Sequence, residues 1–210
     1  MSFISKRLLS VNRINDITSD RKDFVRLDRN EDPDGWPDNH FKNVLRKIIP
    51  SDFSCYTESE NLKKKIAELT FCSKENIFIT SGADGAIKTI CETYLDNNDR
   101  VLIEDPSWPM YEVYSNAYTK KIKKIKYSNN LSLNPELFCK IIQNEKIKLV
   151  FIANPNMPTG TIKSIKAIEE ILKIASKCKT IVIIDEAYYW FSNITLSPLI
   201  KKYSNLIIVR

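Results

Sequence analysis

The chain has 210 residues, 43% hydrophobic and 28% charged, enough for the core of one domain, or of one domain and part of another. No apolar run reaches the roughly 18 residues that span a bilayer, and residues 1–13 hold no hydrophobic stretch of signal-peptide length, so a cytoplasmic protein is expected. The net charge of +6 raises nucleic-acid binding, but the lysine runs Lys63-Lys64-Lys65 and Lys120–Lys126 carry no interleaved stacking aromatics, and no nucleic-acid partner is expected.

Residues 1–40 read as an irregular amino-terminal arm that ends in the loop composition Asp32-Pro-Asp-Gly-Trp-Pro37. A short helix is expected over 41–49, stopped by Pro50, and a second over 58–69 with Thr57 placed to cap it. Ile77-Phe-Ile-Thr80 reads as a strand. Ser81-Gly-Ala-Asp-Gly85 then turns it into a helix running to about Leu95, in which Ala83, Ala86, Ile87, Ile90, Cys91 and Tyr94 share an i, i+3, i+4, i+7 face.

A strand over Arg100–Glu104 leads into Asp105-Pro-Ser-Trp-Pro109 and an aromatic helix over 110–118. The lysine-coated stretch 120–126 has the character of an edge strand, because charge along an edge blocks further pairing. A helix follows over 135–145. Two runs, Lys148–Gly160 and Thr180–Tyr188, begin apolar and β-branched and break into polar residues at their carboxyl ends, as buried parallel strands do. Between them Ile165, Ile168, Ile171, Leu172 and Ala175 mark a helix over 164–178, and 205–209 is a final strand. The alternation predicts an α/β fold with a doubly wound, mostly parallel sheet and helices on both faces. Ligands of such sheets sit at the carboxyl ends of the strands.

Five scattered cysteines without a C-x-x-C spacing, and one histidine, His40, argue against a zinc site and for free thiols in a reducing compartment. Neither G-x-G-x-x-G nor G-x-x-x-x-G-K-[ST] occurs, so Ile181–Glu186 has no phosphate loop with which to act as an ATPase strand. Three candidates for a site remain, each with a plainer alternative. Ser81–Gly85 opens a helix whose amides and dipole suit a phosphate, or is an ordinary strand-to-helix turn. Asp185, a carboxylate at a buried strand end, is expected to have a cationic partner such as a protonated heterocycle, or more plainly is a helix cap or forms a salt bridge to a lysine. If it faces a heterocycle, Tyr188 is placed to reach a phenolate oxygen of the same ring. Trp108 either stacks on an aromatic ligand or belongs to the core.

Together these motifs resemble the fold-type I pyridoxal-phosphate enzymes, closest to the histidinol-phosphate aminotransferase-like branch of the class I/II aminotransferases. The resemblance runs from Arg29-Asn-Glu-Asp-Pro33 to Arg210. It implies that residues 41–210 form an incomplete large domain of the PLP-transferase type, with the carboxyl-terminal small domain absent. By resemblance, Gly82, Ala83 and Asp84 form the phosphate turn, Trp108 stacks on the ring, Asp185 holds the pyridinium nitrogen and Tyr188 bonds the ring hydroxyl. Tyr56 resembles the tyrosine that crosses a homodimer to the neighbour's phosphate. The family motif N-P-x-N-P-T-G reads Asn154-Pro-Asn-Met-Pro-Thr-Gly160, with Met157, which cannot donate a hydrogen bond, in place of an Asn; either Asn156 or Tyr188 compensates, or cofactor chemistry is impaired.

The Schiff-base lysine of the family would lie beyond Arg210, so no catalytic residue is expected within the chain, and the chain alone is expected to be inactive. The intact parent is expected to be an enzyme of amino-acid biosynthesis. It would use pyridoxal 5′-phosphate to transfer an amino group from an amino acid or amino-alcohol phosphate to a 2-oxo acid. The alternatives are a decarboxylase of the threonine-phosphate type and a non-catalytic truncated homologue. No metal and no membrane partner are expected.

Overall fold

The computed structural model describes residues 21, 24–26, 30–32, 34–128, 131 and 134–210. Arg29 and Pro33 of the amino-terminal motif lie outside them. The described residues fall into two compact units, one within 14–59 and one comprising Glu60–Arg210.

The smaller unit holds α1 (Asp38–Leu45) and the short α2 (Ser51–Ser54), neither with a buried residue. Helix α1 starts and stops earlier than the sequence pattern suggests. Pro37 sits at its N-cap, Asp38 complements the positive end of the dipole, and the chain turns at Arg46 before Pro50.

The larger unit begins with α3 (Glu60–Thr70), two residues later than expected, so Thr57 does not cap it. After α4 (Gly82–Tyr94) the chain alternates: β1 (Arg100–Asp105), α5 (Met110–Asn116), β2 (Lys121–Lys126), α6 (Pro135–Glu145), β3 (Ile147–Ala153), α7 (Ile165–Lys177), β4 (Ile181–Asp185), α8 (Tyr189–Ser192) and β5 (Leu206–Val209). Local chemistry fixes several of these ends. The Asn134 side chain accepts the Glu136 N–H and Pro135 fills the first helical position of α6. The Ser164 hydroxyl accepts the Ala167 N–H at the start of α7.

The five strands are all parallel, in the order β2-β1-β3-β4-β5. Alternate residues of the central strands feed two cores. Leu102, Val150, Ile152, Val182 and Ile184 pack with Phe138 and Ile142 of α6 and Ile168, Ile171 and Leu172 of α7. Val101, Ile103, Leu149, Phe151 and Ile183 pack with Ile87, Ile90 and Cys91 of α4 and Tyr111 of α5. Burial on both faces explains why β3 and β4 read as unbroken apolar runs. It also pushes the Cys91 thiol up to about 12, which leaves it inert as a nucleophile. Truncating a core residue such as Leu172 to Ala should cost about 2–5 kcal/mol.

Strand β2 is an edge, as its lysines suggest, with Lys123 and Lys124 paired to Glu145 and Glu112. The expected strand over Ile77–Thr80 is not formed. A β-branched run supplies propensity, but a strand requires a ladder, and β5 is the sheet edge on this side with no described strand beyond it. Phe78 is left 78% exposed.

The sheet grows from β1 outward to β2, then returns so that β3 lies on the other side of β1. The loops leaving β1 and β3 therefore diverge, and a crevice opens at their carboxyl ends. Among the described residues no helix is long and apolar enough to cross a membrane.

Candidate active site

Three strand ends and one helix start converge in that crevice. Strand β1 delivers the loop 106–109, which sets Trp108 at the wall and starts α5 so that Tyr111 turns inward. Strand β3 delivers the turn 154–160, closed by the Gly160 N–H donating to the Asn156 carbonyl at 2.8 Å; Gly160 has φ +68°, which favours glycine. Strand β4 delivers Asp185 through Tyr188. Together with the first turn of α4 they enclose a cavity of about 160 Å³, lined by Ala83, Asp84, Trp108, Tyr111, Ala153, Pro155, Met157, Asp185, Ala187 and Tyr188.

Asp185 dominates its electrostatics. The side chain is 6% exposed. One carboxylate oxygen accepts the Tyr111 hydroxyl at 2.6 Å and the other accepts the Ala187 N–H at 2.9 Å. Both donors are neutral, and none of the ion pairs among the described residues includes Asp185. Burial pushes this carboxyl above its ordinary range, against the pull of those two donors. A cation entering the cavity would find a carboxylate whose charge no described cationic side chain offsets. Neighbouring Glu186 is turned elsewhere: it accepts the Leu196 N–H at 2.7 Å and pairs with Arg210, whose guanidinium lies over the Tyr189 ring.

The positive φ of Gly82, +68°, bends the backbone where α4 starts, and Ala83 and Asp84 of its first turn line the cavity. Its first-turn amides point out of the helix end and carry the positive pole of the dipole. Gly82 itself shapes the turn and faces a neighbouring groove beside Ile77–Thr80 rather than the cavity. The Asp84 carboxylate accepts the Tyr114 hydroxyl at 2.8 Å.

Of the residues singled out in the sequence, Ala83, Asp84, Trp108, Asp185 and Tyr188 meet in this one cavity. Asn156 does not. Its amide is consumed by structure: the nitrogen donates to Glu104 at 3.0 Å and Ser107 at 3.3 Å, and the oxygen accepts the Thr159 hydroxyl at 2.9 Å. That buried network holds Asn156 beneath the turn and presents Met157 to the cavity in its stead. Tyr56 belongs to the 14–59 unit, where its side chain is fully exposed. Tyr111 escaped sequence reading; its hydrogen bond to a residue 74 positions away leaves no local signal.

A cavity with apolar walls, a buried carboxylate and the first turn of a helix in its lining suits a protonated heterocycle carrying an anionic group. Among the described residues no lysine or histidine lines it.

A profile of the aminotransferase class I and II family matches residues 22–210. A histidinol-phosphate aminotransferase from Caldanaerobacter subterraneus subsp. tengcongensis is 34% identical over 187 residues, covering 88% of this chain and 52% of that protein. The chain thus spans about half the length of the curated relatives it matches. A crystal structure described as a putative histidinol-phosphate aminotransferase from Erwinia carotovora atroseptica superposes with a TM-score of 0.70 at 25% identity, over 80% of this chain and 50% of that one. The fold is also that of the Sinorhizobium meliloti histidinol-phosphate aminotransferase solved in complex with pyridoxal 5′-phosphate, with a TM-score of 0.62 at 22% identity over 76% of this chain and 43% of that one.

Proposed function

The chain belongs to the aminotransferase class I and II family, and from that premise we propose that its cavity holds pyridoxal 5′-phosphate and that the protein serves amino-group transfer between an amino acid, or an amino-alcohol phosphate, and a 2-oxo acid. The observation that carries this reading is Asp185: a buried carboxylate, fixed by two neutral donors, facing a cavity with an indole wall. When bound, the cofactor supplies an electron sink for charge developing at the substrate carbon.

The remaining roles belong to the chain. Asp185 keeps a ring nitrogen protonated; at about 3 Å and an effective dielectric near 20, the attraction is on the order of 5 kcal/mol. Trp108 covers one face of the ring and excludes water. Tyr188 bonds the ring hydroxyl, the task in which Met157 cannot share because a thioether offers no donor. The first-turn amides of α4, at Ala83 and Asp84, hold the phosphate, with the Gly82 turn setting their direction. Tyr56 acts across a homodimer, a role supported by its full exposure and by exposed Phe53, Ile49 and Leu45 in the same unit. A cytoplasmic location and a place in amino-acid biosynthesis follow from the same reading.

Among the described residues no lysine lines the cavity, and on this reading the 210 residues by themselves bind the cofactor without turning substrate over. The test is titration of the chain with pyridoxal 5′-phosphate, followed by absorbance and by equilibrium dialysis. Saturable one-to-one binding that weakens on Asp185→Ala supports the proposal, and failure to bind refutes it.

A further inference from the structure

We propose that Tyr111 is the positioning residue for Asp185, a buried hydroxyl that aims the carboxylate into the cavity and holds it in its ionised form. The inference deepens the cofactor reading and rests on it for its functional meaning, while the hydrogen bond itself is a property of the ligand-free chain.

The geometry is that of a preorganised donor. Tyr111 is 1% exposed. Its ring is stacked on Phe151 of β3, with centroids 5.0 Å apart and planes at 9°, and meets Trp108 edge-on at 5.5 Å and 80°. A ring clamped between strand and indole cannot swing, so its hydroxyl has one place to point. The 2.6 Å separation from the Asp185 oxygen is in the range of hydrogen bonds to an ionised acceptor. A carboxylate offers about four lone-pair sites. Tyr111 and the Ala187 N–H take one on each oxygen, which leaves the others for a donor inside the cavity.

The chemistry of the pair runs one way. Burial, then the Asp185 charge, raise the Tyr111 phenol well above its ordinary value, so it stays protonated and remains a donor. The bond to Tyr111 in turn pulls the Asp185 carboxyl down, against desolvation. Among the described residues the other charged or titratable groups around Asp185 are Glu186, the next residue along the chain, which raises it, Tyr188 and Asp84 on the cavity lining, and Glu104 of β1, which acts on Tyr111. Arg210 is tied to Glu186. None of these replaces the donor that Tyr111 provides.

Replacing the hydroxyl alone, by Tyr111→Phe, keeps the ring and its stacking. The Asp185 side-chain carboxyl is followed by carbon NMR in the ligand-free 210-residue chain, with its signal assigned through Asp185→Asn. The midpoint of its titration should move up by about one pH unit in the variant; an unmoved midpoint overturns the proposal. If Tyr111→Phe does not fold, the Tyr111 ring-carbon shift is compared between the native chain and Asp185→Asn, and an identical shift overturns it instead. Pyridoxal 5′-phosphate binding provides the functional readout. The acid limb of the affinity–pH profile should move up in Tyr111→Phe, with near-native affinity well above it, whereas a loss equal at every pH overturns a positioning role. If the native chain binds no cofactor at any pH, the cofactor reading falls, and the carboxyl titration still decides the role of Tyr111.

Discussion

The Lys163 ammonium closes on the Glu104 carboxylate inside the protein, with their side chains 8% and 0% exposed. Glu104 sits at the end of β1 and Lys163 follows the turn after β3, so the pair ties together the two loops that frame the cavity. Glu104 also accepts the Ala153 N–H at 3.3 Å and the Asn156 amide at 3.0 Å. Lys163 donates in addition to the Tyr127 hydroxyl at 3.1 Å. Burial pushes the Glu104 carboxyl up, and Lys163 and Asn156 pull it back.

Removing one member strands the other charge in the interior. Lys163→Met should therefore destabilise the chain by about 3–5 kcal/mol, read as a lower urea midpoint, and the double variant Glu104→Leu/Lys163→Met should recover most of that loss. A single variant as stable as the native chain would show the pair to be dispensable.

Asp185 makes the opposite prediction for stability. Its folded value lies above the unfolded one because burial disfavours its charge. The corresponding stabilisation is full below the unfolded carboxyl value, about 4, and is lost as pH rises through the folded value. Above the unfolded value, ionisation of this carboxyl thus favours the unfolded chain over the ligand-free folded one. Asp185→Asn should raise the urea midpoint near pH 7, with the advantage shrinking as the pH falls towards about 4. Equal midpoints for the two chains across that range would contradict the assignment.

Trp108 is half-buried beside the cavity and touches Tyr111 edge-on. Trp108→Ala should weaken cofactor binding by about 1 kcal/mol, some fivefold in Kd by dialysis, while Trp108→Phe should retain most of the affinity. If both variants lose equally, the indole is serving the fold rather than the ligand.

Much of the sheet was legible because its evidence is local. Strands β1, β3 and β4 are apolar runs that end in polar residues, α7 carries its apolar stripe and its Ser164 cap in one short stretch, and the lysines of β2 mark it as an edge. Ile77–Thr80 shows where local reading stops: its residues favour extended chain, but pairing depends on a neighbour the run itself cannot specify.

The cavity divides the same way. Trp108, Asp185 and Tyr188 were placed by their position at strand ends, which topology alone turns into proximity. Asn156 looked like a ligand donor because of its residue type. Only the fold shows that Glu104, 52 positions away, has already claimed its amide. Tyr111 was hidden for the complementary reason, as one aromatic in an aromatic helix until β4 brought Asp185 against it.

The most direct test is the affinity of the native chain and of Asp185→Ala for pyridoxal 5′-phosphate, measured side by side by equilibrium dialysis at neutral pH. A buried carboxylate meeting a ring cation predicts saturable binding by the native chain and an affinity at least about tenfold weaker in the variant. Equal affinities, or no binding by either, would contradict the account.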